Sequence, residues 1–178
     1  PEILAGDGHL FPVKDAWMFA PTTSQPGGQG GSFFATPNPP VAAIFTYHLK
    51  EAPKSLRARR LEAEAELIKA GKPVPYPTYE RLKAEEREEP AVLLFTIADE
   101  DGQVVRILQE PARQGLNRVA WDLKYPALDA PQAEPARAVR GRSSTFVIPG
   151  VYTVSMALSV DSKVRQLAGP VPFKVQAL

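Results

Sequence analysis

Residues 150–160 read GVYTVSMALSV, and every second side chain in them belongs to one set. Tyr152, Val154, Met156, Leu158 and Val160 fall on one face, and Thr153, Ser155, Ala157 and Ser159 on the other. Side chains alternate in this way only along an extended backbone, which can then lay one face on a core and the other toward water. A helix would scatter the same residues around its circumference. One such strand therefore demands a sheet, and a sheet with one apolar face demands a second layer to cover it.

The period of two recurs. In VAAIFTYHLKE, Ala43, Phe45, Tyr47 and Leu49 oppose Ile44, Thr46, His48 and Lys50. In GLNRVAWDLKYP, Val119, Trp121 and Leu123 oppose Arg118, Ala120 and Asp122. AVLLFTIADEDGQVVRILQE reads as strand, Asp101-Gly102 turn and strand, because Asp-Gly between apolar runs tolerates the positive φ of a tight hairpin. GPVPFKVQAL supplies a last strand through Val171, Phe173 and Val175. Near the N-terminus Phe11, Val13, Trp17 and Phe19 are the expected docking residues of an edge strand, since Pro12 and Pro21 exclude a central one.

Between these strands the rhythm changes once. KSLRARRLEAEAELIKAG is rich in helix formers and sets Ala58, Leu61, Ala65 and Ile68 on one face. Gly71 and Pro73 stop that helix, and Thr78 caps a second, TYERLKAEEREE. The expected fold is mainly β, an immunoglobulin-like or fibronectin-III-like antiparallel β-sandwich with a two-helix insertion at about residues 53–89. The expected organisation is an N-terminal aromatic segment over residues 1–24, a Gly/Pro-rich linker over 25–40, and the sandwich over 41–178. Residues 126–145 lack periodicity and read as a long mobile loop.

Composition narrows the function classes. Lys and Arg number 21 against 20 Asp and Glu, a net charge of +1, so no electrostatic footprint for nucleic acid is present. There is no cysteine, which excludes disulfides, thiolate metal sites and cysteine nucleophiles. No apolar run approaches the ~20 residues of a membrane-spanning helix. The opening Pro1-Glu2-Ile3 carries no initiator methionine and reads as the start of a fragment or processed product.

Several runs together resemble a known family. They are D-x-D-G-x-V-V-R-x-L from Asp99, GLNRVAWDL from Gly115 and P-G-x-Y-T-V from Pro149, with LFPVKDAW and NPPVAAIFTYHLKE upstream. The chain resembles the C-terminal immunoglobulin-like region, of the flagellar-hook-assembly type, found in bacterial sortilin-like proteins with Asp-box β-propellers that are often labelled glycosyl hydrolases. The likeness reaches from about Leu10 to Val175. It implies a structural or interaction module of an exported protein, secreted, periplasmic or on the cell surface, that packs on, caps or positions a propeller. The expected partners are that propeller, other cell-envelope proteins or glycans. No Asp-box occurs within these residues.

Candidate chemistry is sparse. Gly27-Gly28-Gln29-Gly30-Gly31 lacks the preceding strand, following helix and Lys of a phosphate loop, and reads as a hinge. His9 and His48 have no spaced carboxylates to complete a metal site. Ser143, Ser144 and Asp122 lack a nucleophile elbow. Asp99, Glu100 and Asp101 crowd one turn, where they cannot face each other across a cleft as glycoside hydrolysis requires. No catalytic residue, metal site or cofactor is expected. The expected interaction surface is Trp17, Phe19, Phe33, Phe34, Leu61 and Ile68, and Trp121 and Tyr152 are the expected core. Trp17, Phe19, Phe33, Phe34, Tyr76 and Tyr79 leave open the alternative of a carbohydrate-binding module that stacks sugars. Arg57, Arg59 and Arg60 with Glu62, Glu64 and Glu66 read as a solvated face laced with ion pairs.

Overall fold

A computed structural model describes residues 6–19, 41–126 and 145–178. The expected linker over 25–40, with Phe33 and Phe34, lies outside them, as does most of the expected loop over 126–145.

The described chain is mainly β with two helices. One sheet has three strands, β1 (Gly8–Leu10), β3 (Ala43–Leu49) and β6 (Gly115–Trp121), in the order β1-β3-β6. The other has five, in the order β2-β8-β7-β4-β5, from β2 (Ala16–Met18), β4 (Val92–Ala98), β5 (Val104–Pro111), β7 (Gly150–Val160) and β8 (Lys163–Ala177). All pairings are antiparallel except β2 with β8, which makes the larger sheet mixed. That sheet curls like half a barrel.

The alternation in sequence decides which face is buried. Ala43, Phe45, Tyr47 and Leu49 are buried on β3, and Tyr152, Val154, Met156 and Leu158 on β7. Side chains from the two sheets meet in one aromatic cluster. Phe45 lies 5.4 Å from Phe173 and 6.5 Å from Phe95, and Trp121 lies 5.7 Å edge-on to Tyr152. Among the described residues no polar or charged residue is buried. Trp121 and Tyr152 meet their polar needs locally: Trp121 Nε1 donates to the Lys124 carbonyl at 3.1 Å, and Tyr152 Oη to the Ile148 carbonyl at 2.6 Å. Burial also pushes the Tyr152 hydroxyl pKa above its usual value.

The turns follow residue chemistry. Asp99 Oδ1 accepts from the Asp101 and Gln103 amides, and Gly102 takes φ 77°, closing the β4–β5 hairpin. Asp161 and Ser162 both have positive φ, which closes β7 onto β8.

Three expectations need correction. The N-terminal segment docks through Leu10 and Ala16 with Val13 packed partly buried against the core, while Trp17 does not dock but points outward, on the expected interaction surface, and Phe11 and Phe19 are half-buried. With only three residues per strand, β1 and β2 are too short for their phase to show as a pattern. The last strand begins at Lys163, before the apolar run of Val171, Phe173 and Val175. Its first half carries exposed side chains such as Val164 and so lacks the two-residue signal. Midway, Gly169 takes φ 94°, and a Cβ there would sit 2.7 Å from the Val154 carbonyl oxygen. Finally, Leu123 is fully buried but does not continue β6. It sits at φ 58°, held by the Val147 amide donating to its carbonyl at 2.9 Å.

Candidate functional site

The helices form an arm inserted between β3 and β4. In α1 (Leu56–Lys69), the cap Ser55 accepts from the Ala58 amide at 3.1 Å. At its other end Lys72 N–H donates to the Leu67 carbonyl and Gly71 N–H to that of Ile68, with Gly71 at φ 65°. In α2 (Tyr79–Arg87), Thr78 is the cap. The Leu56 amide donates to Glu88 Oε2 at 2.7 Å, so the start of α1 meets the end of α2 and the helices run antiparallel.

Charge joins them. Arg60 Nε reaches Glu85 Oε1 at 2.6 Å, one terminal nitrogen reaches Glu85 Oε2 at 2.9 Å, and the other reaches Glu64 at 2.8 Å. The Arg60 and Glu85 side chains are only 15% and 9% exposed. The guanidinium holds the Glu85 carboxyl below its usual pKa range, and the two carboxylates raise that of Arg60. This corrects the expectation of a wholly solvated ion-paired face. Arg60 and Glu64 lie between the helices and are clamped by a residue of α2 that α1's own sequence cannot reveal. Lys54–Glu62 and Glu66–Lys69 are the exposed pairs.

The clamp leaves the apolar stripe uncovered. Leu61 is 48% and Ile68 66% exposed, Ala58 and Ala65 are exposed, and no residue of either helix is buried. Tyr76 and Tyr79, in and after the crossing between the helices, are also exposed. Trp17 lies apart from them on β2, 47% exposed at the edge of the larger sheet.

The remaining candidates gain little chemistry. His9 and His48 face each other across β1 and β3, a pairing hidden by their distance in sequence. The His48 Nδ1 atom is shut from solvent without a hydrogen-bond partner among the described residues. Among those residues no group of three or more His, Asp or Glu is arranged to hold a metal. Asp122 is exposed, and Ser143 and Ser144 lie outside the described residues. A recess of about 710 Å³ opens where β3 leads into α1, lined by Asp7, Lys50, Lys54, Arg59 and Arg165 among others. Asp7 is bound there by Arg165 at 2.7 Å, which lowers its pKa. No helix among the described residues is long and apolar enough to cross a membrane.

Compared with protein-family models, with curated proteins and with solved structures, the chain matches none of them.

Proposed function

We propose that the chain is a non-catalytic interaction module: an immunoglobulin-like sandwich that presents a helical arm, within an exported bacterial sortilin-like propeller protein. The observation that carries the reading is the contrast between a body with an apolar core and an arm whose apolar stripe, Leu61 and Ile68 among it, is exposed with no described residue packed over it. Soluble domains seldom leave such a stripe unpaired unless something docks there.

Two features support the immunoglobulin-like part. β3 pairs with β6 in one sheet while β4 pairs with β7 in the other, so connections cross between layers as in Greek-key sandwiches. The Tyr152 hydroxyl bonds back to the carbonyl four residues earlier, at the corner leading into its strand, an arrangement similar to the tyrosine corner of immunoglobulin-like sandwiches. The propeller context rests on the resemblance of the Asp-x-Asp-Gly, GLNRVAWDL and Pro-Gly-x-Tyr-Thr-Val runs.

The test is retention of a propeller domain, encoded with this chain, on the immobilised 178-residue protein. Wild type is expected to retain it, and the Leu61→Glu/Ile68→Glu variant to lose it. A folded wild-type chain that ignores the propeller would sink the reading.

A further inference from the structure

The recess at the root of the arm holds more positive charge than its own acids balance. Lys50, Lys54, Arg59 and Arg165 line it against two acids, Asp7 and Glu51, a formal excess of two positive charges. The whole chain carries a net charge of only +1, so this excess is local.

The cations come from both parts of the molecule. Lys50 follows β3 and Arg165 lies on β8, whereas Lys54 leads into α1 and Arg59 lies in its first turn. Arg165 binds Asp7 at 2.7 Å, and Lys50 adds its charge to the same carboxylate, so one acid answers two bases. Lys54 pairs with Glu62. All four side chains of these two ion pairs are more than half exposed, where such a pair holds its partners weakly. Arg59 differs: among the described residues its guanidinium has no ion-pair or hydrogen-bond partner. It belongs neither to the Arg60 clamp nor to the apolar stripe.

We propose that the recess binds a small molecule with two or more oxyanion groups, carboxylate or phosphate, anchored by Arg59. A guanidinium presents a planar fork of N–H donors that matches two oxygens of either group. The second negative group follows from the lining, because a ligand between body and arm meets cations on both sides. At about 710 Å³ the recess has the size of a small-molecule site, and basic side chains around a concavity concentrate their field on an anion. Among the described residues no aromatic ring lines it, which leaves charge rather than stacking to recognise the ligand.

Isothermal titration calorimetry on the 178-residue chain tests this, using citrate and pyrophosphate against sodium chloride of matched ionic strength. Saturable binding of at least one anion is expected, and the one that binds identifies the group. Arg59→Gln should weaken it roughly tenfold, as loss of a charge-assisted contact does. Lys83→Gln makes the same charge change on α2, outside the lining, and should leave binding as it is. Asp7→Asn should tighten binding about threefold, because the carboxylate that competes for Arg165 is gone. No saturable binding of either anion, binding indifferent to Arg59→Gln, equal weakening by Lys83→Gln, or weakening by Asp7→Asn would each overturn the proposal. None of these results bears on propeller retention, which concerns Leu61 and Ile68.

Discussion

The two-sheet body and the helical arm are stabilised by different means, although one follows the other in the same chain. In the body, aromatic and aliphatic side chains from both sheets close over Trp121, Phe45 and Phe95, none of which is exposed at all. In the arm no residue is fully buried, and the groups most shielded from water are the Arg60 and Glu85 side chains of the clamp. Its order comes from two caps, one Gly71 terminus and the Arg60–Glu85–Glu64 clamp. Area removed from water is the largest favourable term available to a fold, whereas exposed ion pairs and caps contribute around 1 kcal/mol each or less. A nine-residue helix such as α2 is marginal by itself. The comparison teaches that the arm is the part free to rearrange, and the body the part that must not.

Three substitutions would break or sharpen that contrast. The largest effect belongs to Trp121→Ala, which empties the junction between Tyr152 and Phe173 and orphans the Lys124 carbonyl. The expected loss is about 3–5 kcal/mol of global stability, read from the denaturant midpoint. A loss below 1 kcal/mol would mean that the sheets do not depend on this anchor. Tyr152→Phe keeps the ring and removes only the hydroxyl that bonds the Ile148 carbonyl. It should cost about 1 kcal/mol by the same measurement.

Smallest in global terms is Arg60→Ala. Its effect on the denaturant midpoint should be small, while amide exchange in α2 quickens and exchange in β7 does not change. Acid should reproduce this loosening. The Glu85 and Glu62 pKa values are lowered in the fold, so their contacts contribute fully above the ordinary carboxylate range and are lost as pH falls through the depressed values. If the arm and the body released their amides together at every pH, the two regions would be one cooperative unit and the comparison would fail.

Much of the body could be read along the chain. β3, β6 and β7 announce themselves through alternation, because in each the inner face repeats at every second residue. The Asp101-Gly102 hairpin is local chemistry and needs no distant partner. The arm's helices and their caps at Ser55 and Thr78 are likewise local. What escaped was whatever depended on a neighbour from elsewhere. β1 and β2 are too short to declare a face, so the sequence does not show that Leu10 and Ala16 turn inward while Trp17 turns outward. The first half of β8 has no apolar rhythm because Lys163 to Gln166 lie on β7 with their side chains exposed. The candidate site divides similarly. The stripe of Ala58, Leu61, Ala65 and Ile68 is written in α1 itself, but its exposure is not.

By itself, then, the sequence determined that the chain is mainly β, where its longer strands turn, and where two helices interrupt them. These follow from steric and hydrophobic preferences acting over a few residues. Only the tertiary structure decided that Arg60 faces Glu85 and leaves the apolar side of α1 to water. It also decided that β1 and β2 join different sheets, and that His9 lies opposite His48. Each of those outcomes is a choice among partners far apart in the chain, and packing makes it only when all of them are present together.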